Sequence, residues 1–372
     1  MKFLRALIWL ALLGHGLPAA EIPFYIGTFT DNTPSKGIYL GSIDPVTGKL
    51  GPVTLACAAV NPNFLAFAPD GKILYVAIRP AGKNAVGAYG RRPDGTLVLL
   101  GQQPSSGDGM CHLWVDGKGR DVLVANYGSG NIACFPIKPE GTVGASTAFV
   151  QFTGTGPNPK RQYKPHAHSI YTDSDDRFVY ACDLGTDSIW TFKFDPAHGT
   201  LQATNPPAAK VPPGSGARHL VFSPDGKIVY VANEMGHTVT VFQRNPKTGL
   251  LAAIQNIPVL PKDIPGDNVT TAEIFLHPSG RWLYVSNRGC DTVAVFAIAP
   301  DGKLSFIQSA PAMVVFPRSF AIDPTGKWLI SAGQNNNKIA VLKIDQTTGK
   351  LTATCQAADV GSPVCILFPP QK

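Results

Sequence analysis

One unit recurs along most of this chain: an apolar segment, a tight turn rich in Pro and Gly, and a second apolar segment. Short apolar segments joined by such turns are typical of β-hairpins. Six copies span Phe64–Ala77, Leu113–Asn126, Ile170–Asp183, Leu220–Asn233, Ile274–Asn287 and Phe320–Ala332. Their turn positions are Gly71, Gly119, Asp176, Gly226, Gly280 and Gly326, which lie 46 to 57 residues apart. A period of this length predicts a repeat fold.

Each hairpin is followed by more strand-like sequence. After the fourth copy, for example, Thr238–Phe242 resembles a third strand, Asn245–Gly249 a turn, and the next residues a fourth strand. The composition agrees with many tight turns, because the chain has 38 Gly, 33 Pro and only 15% charged residues. Four strands per unit of about 50 residues are the pattern of a propeller blade.

A seventh unit is divided between the two ends of the chain. Val364–Pro369 resembles a first strand and Phe24–Thr28 a second, and two more strands follow around Gly37–Ser42 and Leu50–Leu55. Joining the two ends closes the ring and removes an unpaired sheet edge. We therefore predict an all-β, seven-bladed β-propeller with four-stranded blades, closed by N- and C-terminal strands in one shared blade, as a single domain over residues 21–372.

The first 20 residues have the layout of a secretory signal peptide. Lys2 and Arg5 give a short positive start, residues Leu4–Leu13 are apolar apart from Arg5, and the small pair Ala19-Ala20 follows. The run is short for a bilayer span, and a retained membrane anchor is the alternative. We expect cleavage after Ala20, a secreted or periplasmic protein, and no stable membrane insertion.

Charge and cysteine content narrow the partners. The formal net charge of +7 becomes +5 without Lys2 and Arg5, which suits a small anionic ligand. The chain has no basic run, so we expect no nucleic-acid partner. The seven cysteines are odd in number and form no Cys-x-x-Cys, which argues against a disulfide framework or a zinc ribbon. We expect most of the cysteines to be buried, and one disulfide bridge remains an alternative. We also expect a monomer without a cofactor.

The ends of the hairpins indicate where a pocket would form. In a propeller the first strand of each blade lines the channel, and its start lies beside the end of the second strand. Before the turn, these positions hold Asn63-Phe64, Cys111-His112, His168-Ser169, Arg218-His219, Ala272-Glu273 and Arg318-Ser319. At the second strand they hold Ile78-Arg79, Asn126-Tyr127, Asp183-Leu184, Asn233-Glu234, Asn287-Arg288 and Gly333-Gln334. Because these residues differ between blades, they predict one asymmetric pocket.

Four of the eight histidines, His112, His166, His168 and His219, fall at starts of first strands. Titratable side chains gathered at a concave mouth favour a functional site. His166 and His168, two residues apart, could bind zinc together with His112 or His219. Cys111-His112 could supply a thiol nucleophile, although adjacent strand residues point to opposite faces.

Short motifs in a fixed order carry a resemblance over nearly the whole chain after residue 20. They are Tyr25–Thr28, Cys111-His112, Asn126–Gly130, Pro165–His168, Asp183–Asp187, Ala217–His219, Asn233-Glu234, Ser286–Gly289 and Phe316–Phe320. The chain resembles the seven-bladed propeller lactonases, which include propeller-type 6-phosphogluconolactonases and a fungal carboxymuconate-lactonizing enzyme. One departure is Val60, which stands where the family often has an acidic residue before Asn61-Pro62.

The resemblance implies an enzyme that hydrolyses a sugar-type or small anionic lactone. The family's proposed catalytic set falls on His168 (or His166), Arg218, Glu234 and Arg288. We expect Glu234 to activate water as the base, and the two arginines to stabilise the oxyanion or bind an anionic group. His168 would be the acid, because an imidazole pKa lies near working pH. Substrate-binding residues are then expected at His112, His166, His219, Asn126, Asp183 and Arg318, with no metal.

Three other interpretations use the same residues. A cycloisomerase could form or open a muconolactone with the same side chains. A non-catalytic propeller that binds a ligand or partner would show exposed apolar patches or equivalent side chains on every blade. A buried Arg–Glu pair could also serve only to tie blades together.

Overall fold

The computed structural model describes residues 20–371, and within them 28 strands form seven four-stranded antiparallel sheets. Blade 1 holds β4 (Phe64–Phe67), β5 (Ile73–Ile78), β6 (Ala85–Arg91) and β7 (Leu97–Pro104). Blade 2 holds β8 (Met110–Val115), β9 (Asp121–Asn126), β10 (Asn131–Pro136) and β11 (Ala148–Gln151). Blade 3 holds β12 (Ala167–Thr172), β13 (Phe178–Asp183), β14 (Ser188–Asp195) and β15 (Thr200–Lys210).

The remaining blades repeat this order. Blade 4 holds β16 (Ala217–Phe222), β17 (Ile228–Asn233), β18 (Thr238–Arg244) and β19 (Leu251–Pro258). Blade 5 holds β20 (Thr270–Leu276), β21 (Trp282–Arg288), β22 (Thr292–Ile298) and β23 (Leu304–Pro311). Blade 6 holds β24 (Pro317–Ile322), β25 (Trp328–Gly333), β26 (Lys338–Ile344) and β27 (Leu351–Asp359). Two single 3₁₀ turns, Pro80–Gly82 and Leu184–Thr186, are the helical elements of the described residues.

Blade 7 joins the two ends of the chain. It is ordered β28 (Pro363–Leu367), β1 (Ile22–Thr28), β2 (Gly37–Ile43) and β3 (Thr54–Ala58). β1 pairs antiparallel with β28, with Gly27 opposite Cys365. The predicted seven-bladed propeller and its shared closing blade are therefore confirmed. The fourth strand begins at Thr54 and not near Leu50, because Leu50 forms only an isolated bridge with Ile43.

The hydrophobic core is divided among the interfaces between blades. Between blades 4 and 5, for example, Tyr230 and Val241 pack in one buried cluster with Leu283 and Phe296. Second and third strands are covered on both faces by neighbouring blades, so they have near-continuous apolar sequences rather than alternating ones. The repeated apolar segments of the sequence are thus explained by burial on both faces.

A tyrosine in the second strand ties five blades to the next blade. Each tyrosine hydroxyl donates a hydrogen bond of 2.6 to 3.0 Å to a glycine carbonyl in the turn between the neighbour's third and fourth strands. The pairs are Tyr25–Gly95, Tyr75–Gly141, Tyr180–Gly249, Tyr230–Gly302 and Tyr284–Gly349. The glycines have φ between +73° and +84°, a conformation that favours glycine. The tyrosines and turn glycines of the repeat are therefore one interblade contact.

Other sequence expectations fare differently. The predicted signal peptide falls on residues 1–20, of which residues 1–19 lie outside the described residues. No helix within residues 20–371 has the length and hydrophobicity needed to cross a membrane. All seven cysteines are free, but only Cys134, Cys182 and Cys365 are buried, so the expectation that most are buried is wrong. The others lie where strands meet the mouth, a turn or solvent.

Candidate active site

A β-bulge at the start of the first strand carries a polar or reactive side chain in four blades. The pairing register skips one residue between Met110 and His112, between Ala167 and Ser169, between Ala217 and His219, and between Pro317 and Ser319. The skipped residues are Cys111, His168, Arg218 and Arg318. A bulge leaves one residue outside the ladder and re-aims its side chain. The same local device therefore directs four different side chains towards one end of the channel.

Three of these side chains, Cys111, His168 and Arg318, line a cavity of about 940 Å³ at that end of the channel. Four predicted residues line it: His168, Glu234, Arg288 and Arg318. Arg218 lies directly beneath it, bound to Glu234. Asn63, Arg79 and Tyr127, which the repeat placed at this mouth, line it too, and so do Asp31 and Arg161, which the sequence analysis did not name. The cavity is thus asymmetric, as the differences between blades predicted.

Glu234 is the centre of the charged cluster. Its Oε2 accepts from Arg218 Nε at 3.1 Å and lies 3.1 Å from Arg288 Nη2. His168 Nε2 lies 3.8 Å from the same oxygen. The other carboxylate oxygen, Glu234 Oε1, accepts a hydrogen bond from Arg161 Nη2 at 2.7 Å. Burial alone would raise the pKa of this carboxyl, but Arg288, Arg218 and Arg161 outweigh it and lower the pKa to about 2. Glu234 is therefore ionised.

Alternation along the strand decides which of two neighbouring residues faces the cavity. Asn233 ends β17 and donates to the Thr238 and Thr240 hydroxyls within its own blade, whereas the next residue, Glu234, lines the cavity. In blade 2, Asn126 is likewise buried and donates to Ser105 O.

Two predicted substrate-binding residues, Asn126 and Asp183, therefore have structural contacts instead. Asp183 is fully buried, and its carboxylate accepts from the His166 and Gly185 amides and the Thr186 hydroxyl. Neither residue lines the cavity. The Asp183 side chain holds the turn after its second strand, because a short polar side chain at a strand end readily binds nearby backbone groups, whereas the Asn126 side chain holds the connection that precedes β8.

His112 and His219 form a deeper layer with Glu273. All three are buried, and His219 Nδ1 lies 2.8 Å from Glu273 Oε1. His112 and Glu273 line a second, largely aromatic cavity of about 470 Å³ at the other end of the channel. Burial lowers the pKa of both histidines well below 6.5. The two predicted substrate-binding histidines thus lie below the upper cavity and do not line it.

His168 is a neutral imidazole. Burial, followed by Arg218, lowers the pKa of His168 well below 6.5. The expectation of an imidazole whose pKa lies near working pH is therefore wrong here, because the ring is buried and has arginines beside it.

Cys111 contacts His168 and not His112, with Sγ 3.9 Å from His168 Nδ1. Burial raises the pKa of the Cys111 thiol to about 11, so the group is a thiol and not a thiolate nucleophile.

His166 does not form the predicted zinc-binding pair with His168. Its ring stacks on Tyr127 with centroids 4.4 Å apart, and its Nδ1 lies 2.9 Å from Tyr127 O. The bulge at His168 turns the two histidines apart. Over residues 20–371, no three His, Cys, Asp or Glu side chains are grouped closely enough to hold a metal ion. The structure therefore gives the zinc hypothesis no ligand set in that range.

Arg161 is the charged contact that sequence reasoning missed. It lies in the loop before β12, outside the register of the repeat. The loop is fixed by Gln162, which is buried and donates to Leu184 O at 2.9 Å and to Asp187 Oδ1 at 2.8 Å. Its nearness to the Pro165–His168 motif was the available signal, but the direction of a loop side chain depends on such tertiary anchors.

Comparisons with known proteins agree with this fold. The family model described as "Lactonase, 7-bladed beta-propeller" matches residues 23–368. A 6-phosphogluconolactonase of Bacillus subtilis (strain 168) is 33% identical over 346 residues, covering 92% of this chain and 97% of that relative. The crystal structure of a putative 6-phosphogluconolactonase from Bacteroides fragilis has a TM-score of 0.88 at 34% identity, covering 95% and 99% of the two chains. The periplasmic gluconolactonase of Pseudomonas aeruginosa has a TM-score of 0.88 at 30% identity, covering 94% and 99%.

Proposed function

This chain belongs to the lactonase family of seven-bladed β-propellers, and we propose that it hydrolyses a sugar-type lactone in the cavity around Glu234. The observation that supports this most is one ionised carboxylate held by three arginines beside a neutral histidine at the channel mouth. Relatives named 6-phosphogluconolactonase and gluconolactonase favour a gluconate-type lactone as substrate.

In this proposal Glu234 is the general base. Being ionised, it can accept a proton from a water molecule while the water oxygen bonds to the lactone carbonyl carbon. A carboxylate with a pKa of about 2 is a weak base. It therefore has to lose part of its cationic surroundings when the lactone binds.

Arg288 and the neutral His168 ring supply donors for the oxyanion that forms on the carbonyl oxygen. Arg218 keeps the Glu234 carboxylate in place through Nε, while its Nη1 donates to Ala272 O at 2.7 Å. When the tetrahedral intermediate collapses, the ring C–O bond breaks and the ring oxygen takes the proton from Glu234. The product is an open-chain hydroxy acid, and Glu234 is again a carboxylate. His168 is thus an oxyanion donor in this scheme and not the acid.

Arg318 offers a site for an anionic group on the lactone. It lines the cavity over the Phe29 ring, with 5.5 Å from its guanidinium carbon to the ring centroid. Within residues 20–371 it forms no ion pair, so its charge is free for a ligand. A guanidinium binds carboxylate or phosphate with two parallel hydrogen bonds, which suits a small anionic lactone.

A substrate panel tests the proposal. Gluconolactone, 6-phosphogluconolactone, a muconolactone and a muconate are supplied to wild type and to Glu234→Gln, with Glu140→Gln as the control because Glu140 is exposed on a distant turn. We expect wild type and the control to open at least one sugar lactone, and Glu234→Gln to lose at least about 100-fold in rate. Turnover of muconate alone would mean a cycloisomerase, and binding without turnover would mean a non-catalytic propeller.

We also propose that the chain is exported and works as a monomer. The signal-like residues 1–20 and a structural neighbour named as periplasmic support export. Each propeller carries a complete cavity, which supports a monomer. The lack of a basic run in the sequence supports the absence of a nucleic-acid partner. N-terminal sequencing of the protein from a fractionated host should find Glu21 first, and light scattering should give one chain's mass. A retained N-terminus in the membrane fraction would favour the anchor.

A further inference from the structure

The two oxygens of Glu234 have different surroundings. Oε2 faces the inner side of the cluster, where Arg218 and Arg288 both contact it. Those side chains are only 2% and 6% exposed, so the surrounding residues pack around both of them. Within residues 20–371, the one cation in contact with Oε1 is Arg161. Oε1 is therefore the oxygen that a bound ligand can uncover.

Arg161 is held much more loosely than the other two arginines. Its side chain is 39% exposed, and a single nitrogen, Nη2, makes both of its contacts, to Glu234 Oε1 at 2.7 Å and to the Tyr127 hydroxyl at 3.2 Å. No other hydrogen bond of its guanidinium is formed within the described residues. Most N–H groups of the Arg161 guanidinium therefore lie at the edge of the cavity and are available to a ligand.

The backbone under Arg161 is fixed, so only its side chain needs to move. Gln162 anchors the loop to Leu184 and Asp187, and Lys164 Nζ donates to Gly128 O at 2.6 Å. A guanidinium on a fixed backbone can turn from one carboxylate to another anion by changing side-chain rotamers alone. Such a change is fast compared with the turnover of most enzymes.

We propose that Arg161 covers Oε1 of Glu234 in the free enzyme, and that an anionic group on the bound lactone draws Arg161 away and so frees this oxygen to accept the proton of water. The inference rests on the proposed function and adds a substrate-controlled positioning residue to it. Glu234 gains basicity when one of its three cations leaves. A neutral lactone has no group that competes with Glu234 for Arg161, so Arg161 stays on Oε1 while such a lactone is bound.

The test compares one neutral and one anionic lactone, gluconolactone and 6-phosphogluconolactone, on wild type, Arg161→Gln and Arg161→Lys. Removing the cover should raise kcat for the neutral lactone about three- to tenfold, because Glu234 regains basicity. The same change should lower kcat/KM for the anionic lactone about 10- to 100-fold, because a charged hydrogen bond to the ligand is lost. Arg161→Lys keeps the charge, so its rates with each lactone should lie between those of wild type and Arg161→Gln.

A matched control and a pH profile separate this role from a structural one. Arg79→Gln removes a charge from the same cavity wall, but Arg79 pairs with Asp31 and touches no atom of Glu234. It should give no rise in turnover of the neutral lactone. In Arg161→Gln the acidic limb of kcat/KM should move to higher pH, since this limb reports the free enzyme. The acidic limb of kcat for the anionic lactone should stay in place.

Three results would overturn the inference. A parallel fall for both lactones in Arg161→Gln would make Arg161 a structural clamp. Unchanged kinetics for both lactones would mean that Arg161 does not cover the reacting oxygen. A wild type that opens neither lactone would overturn the proposed function, and the inference with it, and is distinguished from the other two by the wild-type rate itself.

Discussion

His219 Nδ1 lies 2.8 Å from Glu273 Oε1, although the two residues are 54 positions apart and belong to neighbouring blades. This buried pair lies below the Glu234 cluster. No arginine forms an ion pair with Glu273 in the described part of the chain, and burial raises the pKa of Glu273 to about 7. Arginines lower the pKa of Glu234 to about 2. Direct cation contact thus decides the charge of two carboxyls in one channel.

Glu273→Gln should stabilise the protein in a pH-dependent way. The pKa of Glu273 is raised in the folded state from 4.5 to about 7, so wild type loses stability as the pH rises from 4.5 through 7. The amide does not titrate, so the variant should gain on the order of 3 kcal/mol relative to wild type between these values. Chemical denaturation at pH 4.5 and pH 8 measures the difference. An equal difference at both values would contradict it.

Glu234→Gln should show the opposite dependence. The pKa of Glu234 is lowered on folding from 4.5 to about 2, so its stabilising effect is complete above 4.5 and is lost as the pH falls through 2. The stability gap between wild type and variant should shrink by on the order of 3 kcal/mol over that window. Denaturation at pH 7, 4 and 3 tests this. A gap that is constant with pH would refute the ion cluster as a source of stability.

Cys111→Ala should leave lactone turnover within about threefold of wild type, because removal of a true nucleophile costs several orders of magnitude. The thiol has a raised pKa of about 11, and its Sγ lies 3.9 Å from His168 Nδ1 and 3.3 Å from His168 O. Initial rates of the variant, and of wild type treated with an alkylating reagent, provide the measurement. Loss of activity in a folded Cys111→Ala protein would restore the thiol hypothesis.

Tyr230→Phe should lower the free energy of unfolding by about 1 kcal/mol, with activity retained. The change keeps the buried ring and removes the 3.0 Å hydrogen bond to Gly302 O in the next blade. Tyr163→Phe is the matched control, because Tyr163 is exposed and its hydroxyl has no hydrogen bond within the described residues. Denaturant midpoints of the three proteins measure the effect. Equal midpoints would mean that the interblade bond adds nothing.

Much of the mouth could be predicted, but only to within one residue. At the end of β17 the repeat offered Asn233 and Glu234 together, and the period of two in a strand placed one inward and one towards the cavity. Asn126 and Asp183 were assigned to the substrate, yet Asn126 donates to Ser105 O in the preceding connection, and Asp183 accepts from the Gly185 amide in its own turn. Sequence position alone does not tell whether a polar side chain binds a nearby backbone group or faces the cavity.

The sequence by itself determined the number of blades, their four-stranded form and the closing blade, because strand length, turn residues and apolar runs are local properties that the repeat states seven times. It also brought His168, Glu234, Arg288 and Arg318 to one end of the channel. Only the tertiary structure decided their charges and contacts. The bulges that aim His168 and Arg218, and the loop that brings Arg161 to Glu234 Oε1, depend on packing between residues distant in sequence. The arginines gathered in this way lower the pKa of Glu234, and burial together with these arginines keeps His168 neutral.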